Sequence, residues 1–387
     1  MERVWRSFCE QLAGAGSVLA AGPDDPKVQA AGLRYLLHLV NSGLDLFVMD
    51  ADPEHPEVCR PQDPDRRWAL DCPDAHYGRA PIDGTGTYRV SGGPGDAHYL
   101  GITVTAGHLG TSGIRTIGSL SRPGALACEP DGSFELILSP REHPGNWIRT
   151  DPDADAVSFR QFRYDWDIET PAWITIERSD ISMPPELDPD VEAARLDALG
   201  RFVTGSASMW TAYVESLGQR TWNTIAAPNP PSSNYGATPD NVYGSGYFEL
   251  AGDQAVVIEL VPPPCHYWMF QIGNHWFESL DYTYRQTSLN GHQAVLDPEG
   301  VFRAVISHDD PGVANWLDTA GNREVPLAYR YQFPTVPFEE LPRPTSRVVA
   351  FADLERELHP ATPRVTSEER ADTLARRRRA VLRRYRR

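Results

Sequence analysis

Apolar positions first recur along the chain at close to helical spacing. Leu33, Leu36, Leu37, Val40, Leu44 and Leu46 gather on one side of a helix, which predicts a helical segment over residues 1–48 with Asn41-Ser42-Gly43 as a break. A stretch rich in proline and charge follows from Asp52 to Pro73, and the period then changes to two. Short alternating segments at residues 87–91, 97–105, 113–119, 134–139 and 173–177 are punctuated by glycine and proline, so residues 70–180 read as a β-sandwich. Helical spacing returns over 186–220, through Val191, Ala194, Leu196, Leu199, Phe202 and Val203 to Met209, Tyr213 and Leu217, with Gly205 as a point of interruption. Alternation resumes over 221–335. Pro334, Pro337, Pro342 and Pro344 then make an extended segment, and residues 345–387 are expected to close the chain as helices ending in a basic tail.

The two alternating regions share more than a period. Pro73-Asp74-Ala75-His76-Tyr77-Gly78 matches Pro239-Asp240-Asn241-Val242-Tyr243-Gly244, His98-Tyr99 matches His266-Tyr267, and Asp131-Gly132-Ser133-Phe134 matches Glu299-Gly300-Val301-Phe302, at offsets of 166 to 168 residues. Both copies then reach Asn-Trp, at Asn146-Trp147 and Asn315-Trp316. Matched blocks in one order at so long a period mean a duplicated domain. The fold class that follows is mainly β with peripheral helices, built as a tandem duplicated β-sandwich.

These blocks, together with His308-Asp309-Asp310-Pro311-Gly312 and Asn315-Trp316-Leu317, resemble a bacterial family known as domain of unknown function 1214, often found beside its sister family 1254. The resemblance spans most of residues 70–333. It implies jelly-roll-like sandwiches in tandem and says little about chemistry, since a fold does not supply a function.

Composition narrows the classes. The formal net charge is −17, yet the last twelve residues hold eight arginines and no acid, so the rest of the chain is more acidic still. Such a body repels nucleic acid, and the basic tail is expected to fold back on it. No apolar run is long enough to span a membrane. Five scattered cysteines without metal or redox spacing suggest reduced thiols and a cytoplasmic protein. There is no phosphate-binding loop and no dinucleotide fingerprint, and the single lysine, Lys27, lies outside both repeats.

Duplication acts as an internal control for chemistry. Residues kept in both copies, Tyr77/Tyr243, Gly78/Gly244, Asn146/Asn315 and Trp147/Trp316, read as scaffold, and His98/His266 as structural histidines. The copies part after the strand that begins with those histidines. There Asn274, His275, Glu278 and Asp281 stand where copy one has Ala106, Gly107, Gly110 and Gly113. This stretch suggests His275 as an acid/base, Asp281 or Glu278 as its carboxylate partner, and Arg285 as an anchor for a substrate anion. Asn274, Trp222, Trp276 and Tyr284 would line the pocket. The competing reading is a turn whose polar side chains cap their own backbone.

Two weaker candidates are Ser307-His308-Asp309-Asp310, from which His308 would reach the substrate, and the polar aromatic stretch formed by Trp222-Asn223, Asn229 and Asn234-Tyr235-Gly236. No cofactor is expected. A metal is a lesser alternative, because His266, His275, His292 and His308 lack tight ligand spacing although a sandwich can gather ligands from separate strands. The expectation is an enzyme acting on a small, partly apolar organic molecule by acid/base catalysis, a hydrolase or lyase, dehydration and isomerisation included. The alternative is a non-catalytic carbohydrate- or lipid-binding protein. A homo-oligomer is compatible with either.

Overall fold

The computed structural model describes residues 1–93, 95–168, 170–180, 186–230 and 241–385. The architecture is mainly β with peripheral helices. The first repeat contains β1 (Ala75–Pro81), β2 (Tyr88–Gly93), β3 (Tyr99–His108), β4 (Gly113–Leu120), β5 (Phe134–Ser139), β6 (Asn146–Arg149), β7 (Ala156–Phe162) and β8 (Trp173–Arg178). After the short β9 (Thr224–Ile225), the second repeat contains β10 (Asn241–Glu249), β11 (Gln254–Leu260), β12 (Cys265–Ile272), β13 (Ser288–Asn290), β14 (Phe302–Ser307), β15 (Trp316–Asp318), β16 (Glu324–Pro334) and β17 (Thr345–Ala350).

Strand order repeats without change. Sheets β1-β7-β3-β4 and β6-β5-β2-β8 of the first copy correspond to β10-β16-β12-β13 and β15-β14-β11-β17 of the second. In each copy alternate residues of both sheets fill one core: Ile102, Val104 and Phe159 meet Val90, Leu136 and Leu138, while Phe270 and Tyr329 meet Ile258, Phe302 and Ile306.

The last strand corrects one expectation. Residues 345–350 are not part of a helical tail; β17 pairs with β11 as β8 pairs with β2, so the second sandwich extends to Ala350. The prolines that precede β17 hid the equivalence.

The helices are α1 (Glu2–Ala15), α2 (Ser17–Ala21), α3 (Pro26–Leu44), α4 (Pro189–Thr221), the single turn α5 (Leu354–Glu357) and α6 (Ser367–Tyr385). Four of them, α1 to α4, pack as one group, while α5 lies against the second sandwich and α6 against Trp166 and Tyr282. Asp25 and Asp188 cap α3 and α4 by accepting main-chain N–H groups, each just before a proline at the first helical position. Gly205 does not interrupt α4. It lies where the β3–β4 turn crosses the helix, and a Cβ there would sit 1.7 Å from the Gly110 carbonyl oxygen.

The tail folds back as α6. Arg370, Arg377 and Arg384 recur every seven residues on its buried face. Arg370 pairs with Asp310 at 2.9 Å, and Arg377 and Arg384 lie over the Trp166 ring at 4.5 and 4.8 Å.

Candidate functional site

The outward face of sheet β1-β7-β3-β4 is turned toward that of β10-β16-β12-β13. Tyr99, Phe162, Tyr267 and Met269 join them in a shared apolar cluster. His98 and His266 seal the seam reciprocally: their rings stack at 4.1 Å, and each bonds through Nε2 to the other's main-chain carbonyl, at 2.6 and 2.8 Å. Those bonds make Nε2–H the donor on both rings, as a structural role requires.

Beside the seam lies a cavity of 660 Å³, a volume typical of small-molecule sites. Its strand side is built from matched positions of the two copies. Tyr77 on β1 is paired across the ladder with Arg160 on β7, and Tyr243 on β10 with Arg330 on β16. The other side is apolar: Trp210 and Tyr213 of α4, Trp68 and Leu70 of the segment before β1, Leu109 and Ile114 flanking the β3–β4 turn, and Phe277 after β12. Trp210 stacks on Phe277 at 5.2 Å, which fixes this wall.

The electrostatics are one-sided. Arg79, Arg160, Arg220 and Arg330 line the cavity, and among the described residues no aspartate or glutamate does. Arg79 is matched from outside by Asp155 at 3.5 Å, and Arg220 bonds back to the Ser216 carbonyl at 3.2 Å. Arg330 is different. It is 7% exposed and has no ion pair among the described residues, and its guanidinium lies 5.2 Å from the Tyr243 ring and 5.9 Å from that of Phe162. Among the described residues its Nε–H finds no acceptor, nor does the Trp210 Nε1–H on the opposite wall. Both are donors, so the missing partner is an acceptor. His108, the one imidazole on the wall among the described residues, is pushed down to about 3 by burial and by Arg79, with Nδ1 on the Leu109 carbonyl at 2.7 Å.

The residues expected to carry chemistry lie elsewhere. His275 does have a carboxylate partner, but it is Glu324 at 2.8 Å, which also accepts from the Tyr247 hydroxyl at 2.8 Å, and not Asp281 or Glu278. Burial pushes the Glu324 carboxyl up, but the hydrogen bond and charge of His275, with the Tyr247 hydroxyl, outweigh it and hold the group below its usual range. Glu278 instead bonds to His38 of α3 at 2.6 Å and to Asn274 at 2.8 Å, while Asp281 caps the main chain of Thr283 and Tyr284. Asn274 caps Trp276 and Glu278.

Trp276 is fully buried against the N-terminal helices. Its Nε1–H donates to the Val28 carbonyl at 2.8 Å, and Gly22 and Gly32 make room for its ring. Arg285 is held by Asp318 at 2.7 Å, Tyr284 is exposed beneath Arg378, and Trp222 is exposed beside Tyr247. His308 bonds to Thr319 at 2.7 Å, and its neighbour Asp310 anchors α6. The structure therefore does not bring the predicted set together. The divergent stretch docks the N-terminal helices.

Of the weaker candidates, Asn229 reaches the cavity wall. Asn234, Tyr235 and Gly236 lie outside the described residues, as do Pro239 and Asp240 of the repeat. Sequence reasoning missed Arg160 and Arg330. A signal was present, since Phe159-Arg160 and Tyr329-Arg330 are both aromatic-Arg pairs soon followed by Gln-Phe, but their offset of 170 falls out of the register of the other blocks.

Fold and cavity together define a duplicated, mainly β protein with an arginine-lined chamber between its halves. Residues 75–163 match the model of a family described as "Protein of unknown function (DUF1214)", a match confined to the first repeat. A crystal structure of an uncharacterized protein from Burkholderia cenocepacia superposes with a TM-score of 0.86 at 33% identity, covering 91% of this chain and 98% of that one, and the chain belongs to that protein's family. The VPA0106 protein from Vibrio parahaemolyticus covers 82% of this chain and 98% of its own at 12% identity, with a TM-score of 0.47, too slight a likeness to argue from. No curated protein matches the chain.

Proposed function

We propose that the protein binds a small organic anion in the chamber between its two repeats. The observation that carries this reading is Arg330, a buried guanidinium without an ion pair among the described residues, in a wall without described carboxylates. An unpaired buried charge is costly, and a ligand anion would supply the missing partner. The apolar side suits the partly apolar body expected for the ligand. Binding outweighs catalysis here because the imidazole on the wall, His108, is too weak a base near neutral pH. The five unpaired cysteines support a reducing compartment such as the cytoplasm.

Calorimetric titration with 2-naphthoate and its uncharged alcohol tests the proposal. Wild type is expected to take the acid and not the alcohol, and Arg330→Gln to lose about 100-fold in affinity for the acid, as for a desolvated charge-assisted pair. Equal binding of both compounds, or indifference to the substitution, would count against it.

Acid/base catalysis by His275 is a second reading, supported by the 2.8 Å contact with Glu324. A hydrolase or lyase activity abolished by His275→Gln and untouched by Arg330→Gln would favour it over the chamber.

A further inference from the structure

The chamber also constrains the ligand's head group. β7 and β16 are paired along both edges, so the main-chain N–H groups of Arg160 and Arg330 are spent in the sheets. The wall residues from α4 come from its C-terminal half, where the helix dipole is negative. Phosphate groups are commonly held by main-chain N–H groups at helix N-termini, and this wall offers none among the described residues. A planar carboxylate needs less. One guanidinium fork binds it through two parallel hydrogen bonds.

The body is constrained by an open groove of 440 Å³ on the surface, bounded by Gly205 and Met209 of α4, that shares its Leu109 and Ile114 wall with the first cavity. Leu109 and Ile114 make it apolar where it adjoins the chamber, and Met209 is its apolar side chain on α4. An extended chain entering from Arg330 would therefore keep apolar contacts beyond the first cavity.

We infer that the ligand is a monocarboxylic acid with a long apolar tail, its carboxylate on Arg330 and its tail running past Leu109 and Ile114 toward Met209. This rests on the anion-binding reading above and names the substrate class for that site.

The test is calorimetry on the full chain with straight-chain alkanoates of increasing length, kept below their micelle concentrations, beside alkyl phosphates and primary amides of equal length. Affinity is expected to rise about fourfold per added methylene until the tail reaches the end of the groove at Met209. The carboxylate should exceed the equal-length phosphate by about tenfold or more, and Arg330→Gln should abolish its advantage over the amide. Met209→Trp, or the milder Met209→Phe if the larger ring impairs folding, should weaken the longest acids and leave the short ones unchanged.

Phosphates binding as well as carboxylates would overturn the carboxylate head and leave the anion reading standing. Affinity independent of length, or indifferent to both Met209 variants, would overturn the tail path. Failure of every acid and phosphate to bind, or binding unaffected by Arg330→Gln, would overturn the inference and the anion reading together.

Discussion

Two regions of the duplicated half-molecules contrast when one copy is set against the other. The paired strands β1/β7 and β10/β16 keep Tyr-Gly opposite an aromatic-Arg pair in both copies, while the segments after β3 and β12 have nothing in common. The first copy makes a glycine-rich turn there that rests on α4, and the second makes the Gly273-to-Arg285 segment that receives Trp276 among the N-terminal helices. Identity between copies would ordinarily mean scaffold and difference would mean function. Here the kept residues face each other across the seam and line the chamber, and the divergent ones dock a third element. A duplicated domain facing its own copy places its repeated residues in a shared interface, so repetition alone cannot separate structure from site.

This contrast can be broken most forcefully at Trp276. Replacing it with alanine removes a fully buried ring and should destabilise the protein by about 3–5 kcal/mol in chemical denaturation. Limited proteolysis should then cut within α1–α3 first. Glu278→Ala, which leaves His38 of α3 without its carboxylate, should act in the same direction by about 1–3 kcal/mol. If either variant lost ligand binding while keeping wild-type stability, the docking role assigned to this stretch would be wrong.

On the kept side the expected sign reverses. Arg330→Gln should leave stability unchanged or raise it, because it removes a buried charge that has no ion pair among the described residues, while ligand affinity falls. A loss of several kcal/mol on that substitution would make Arg330 scaffold after all.

Acid should act through the histidines. His76 and His108 are pushed down to about 4 and about 3, mainly by burial, so both are neutral in the folded protein while the unfolded chain takes up protons below about 6.5. Their contribution to stability is therefore fully present above about pH 6.5 and lost as pH falls toward 4 and 3. Asp71, pushed up to about 7 by burial, acts oppositely, losing its contribution as pH rises toward 7. Comparing wild type with His108→Leu by thermal melts across pH isolates the histidine: the variant should lose less stability on acidification. Smallest of all, Arg285→Ala should change stability by about 0–1 kcal/mol, since its guanidinium is half exposed where it meets Asp318.

Much of the architecture was legible because it rests on local rules. Alternation marked β2 to β5 and β8, apolar positions at helical spacing marked α3 and α4, and the matched blocks announced a duplicated domain. What stayed hidden depended on long-range pairing. β7 carries Arg160 at residues 156–162, a run whose inward and outward positions are both largely covered, so its alternation is faint. β17 lay behind four prolines. The site was least legible, because its lining is gathered from separate segments of both repeats and α4, from Trp68 to Arg330, and because His275, Glu278 and Asp281 are close in sequence yet face different partners.

The most direct measurement is a crystal structure with a bromine-tipped long-chain carboxylic acid, the bromine located by anomalous scattering. The carboxylate is expected within hydrogen-bonding distance of Arg330 and the bromine beside Met209. A fully occupied acid anywhere else, with the chamber left to solvent, would contradict it.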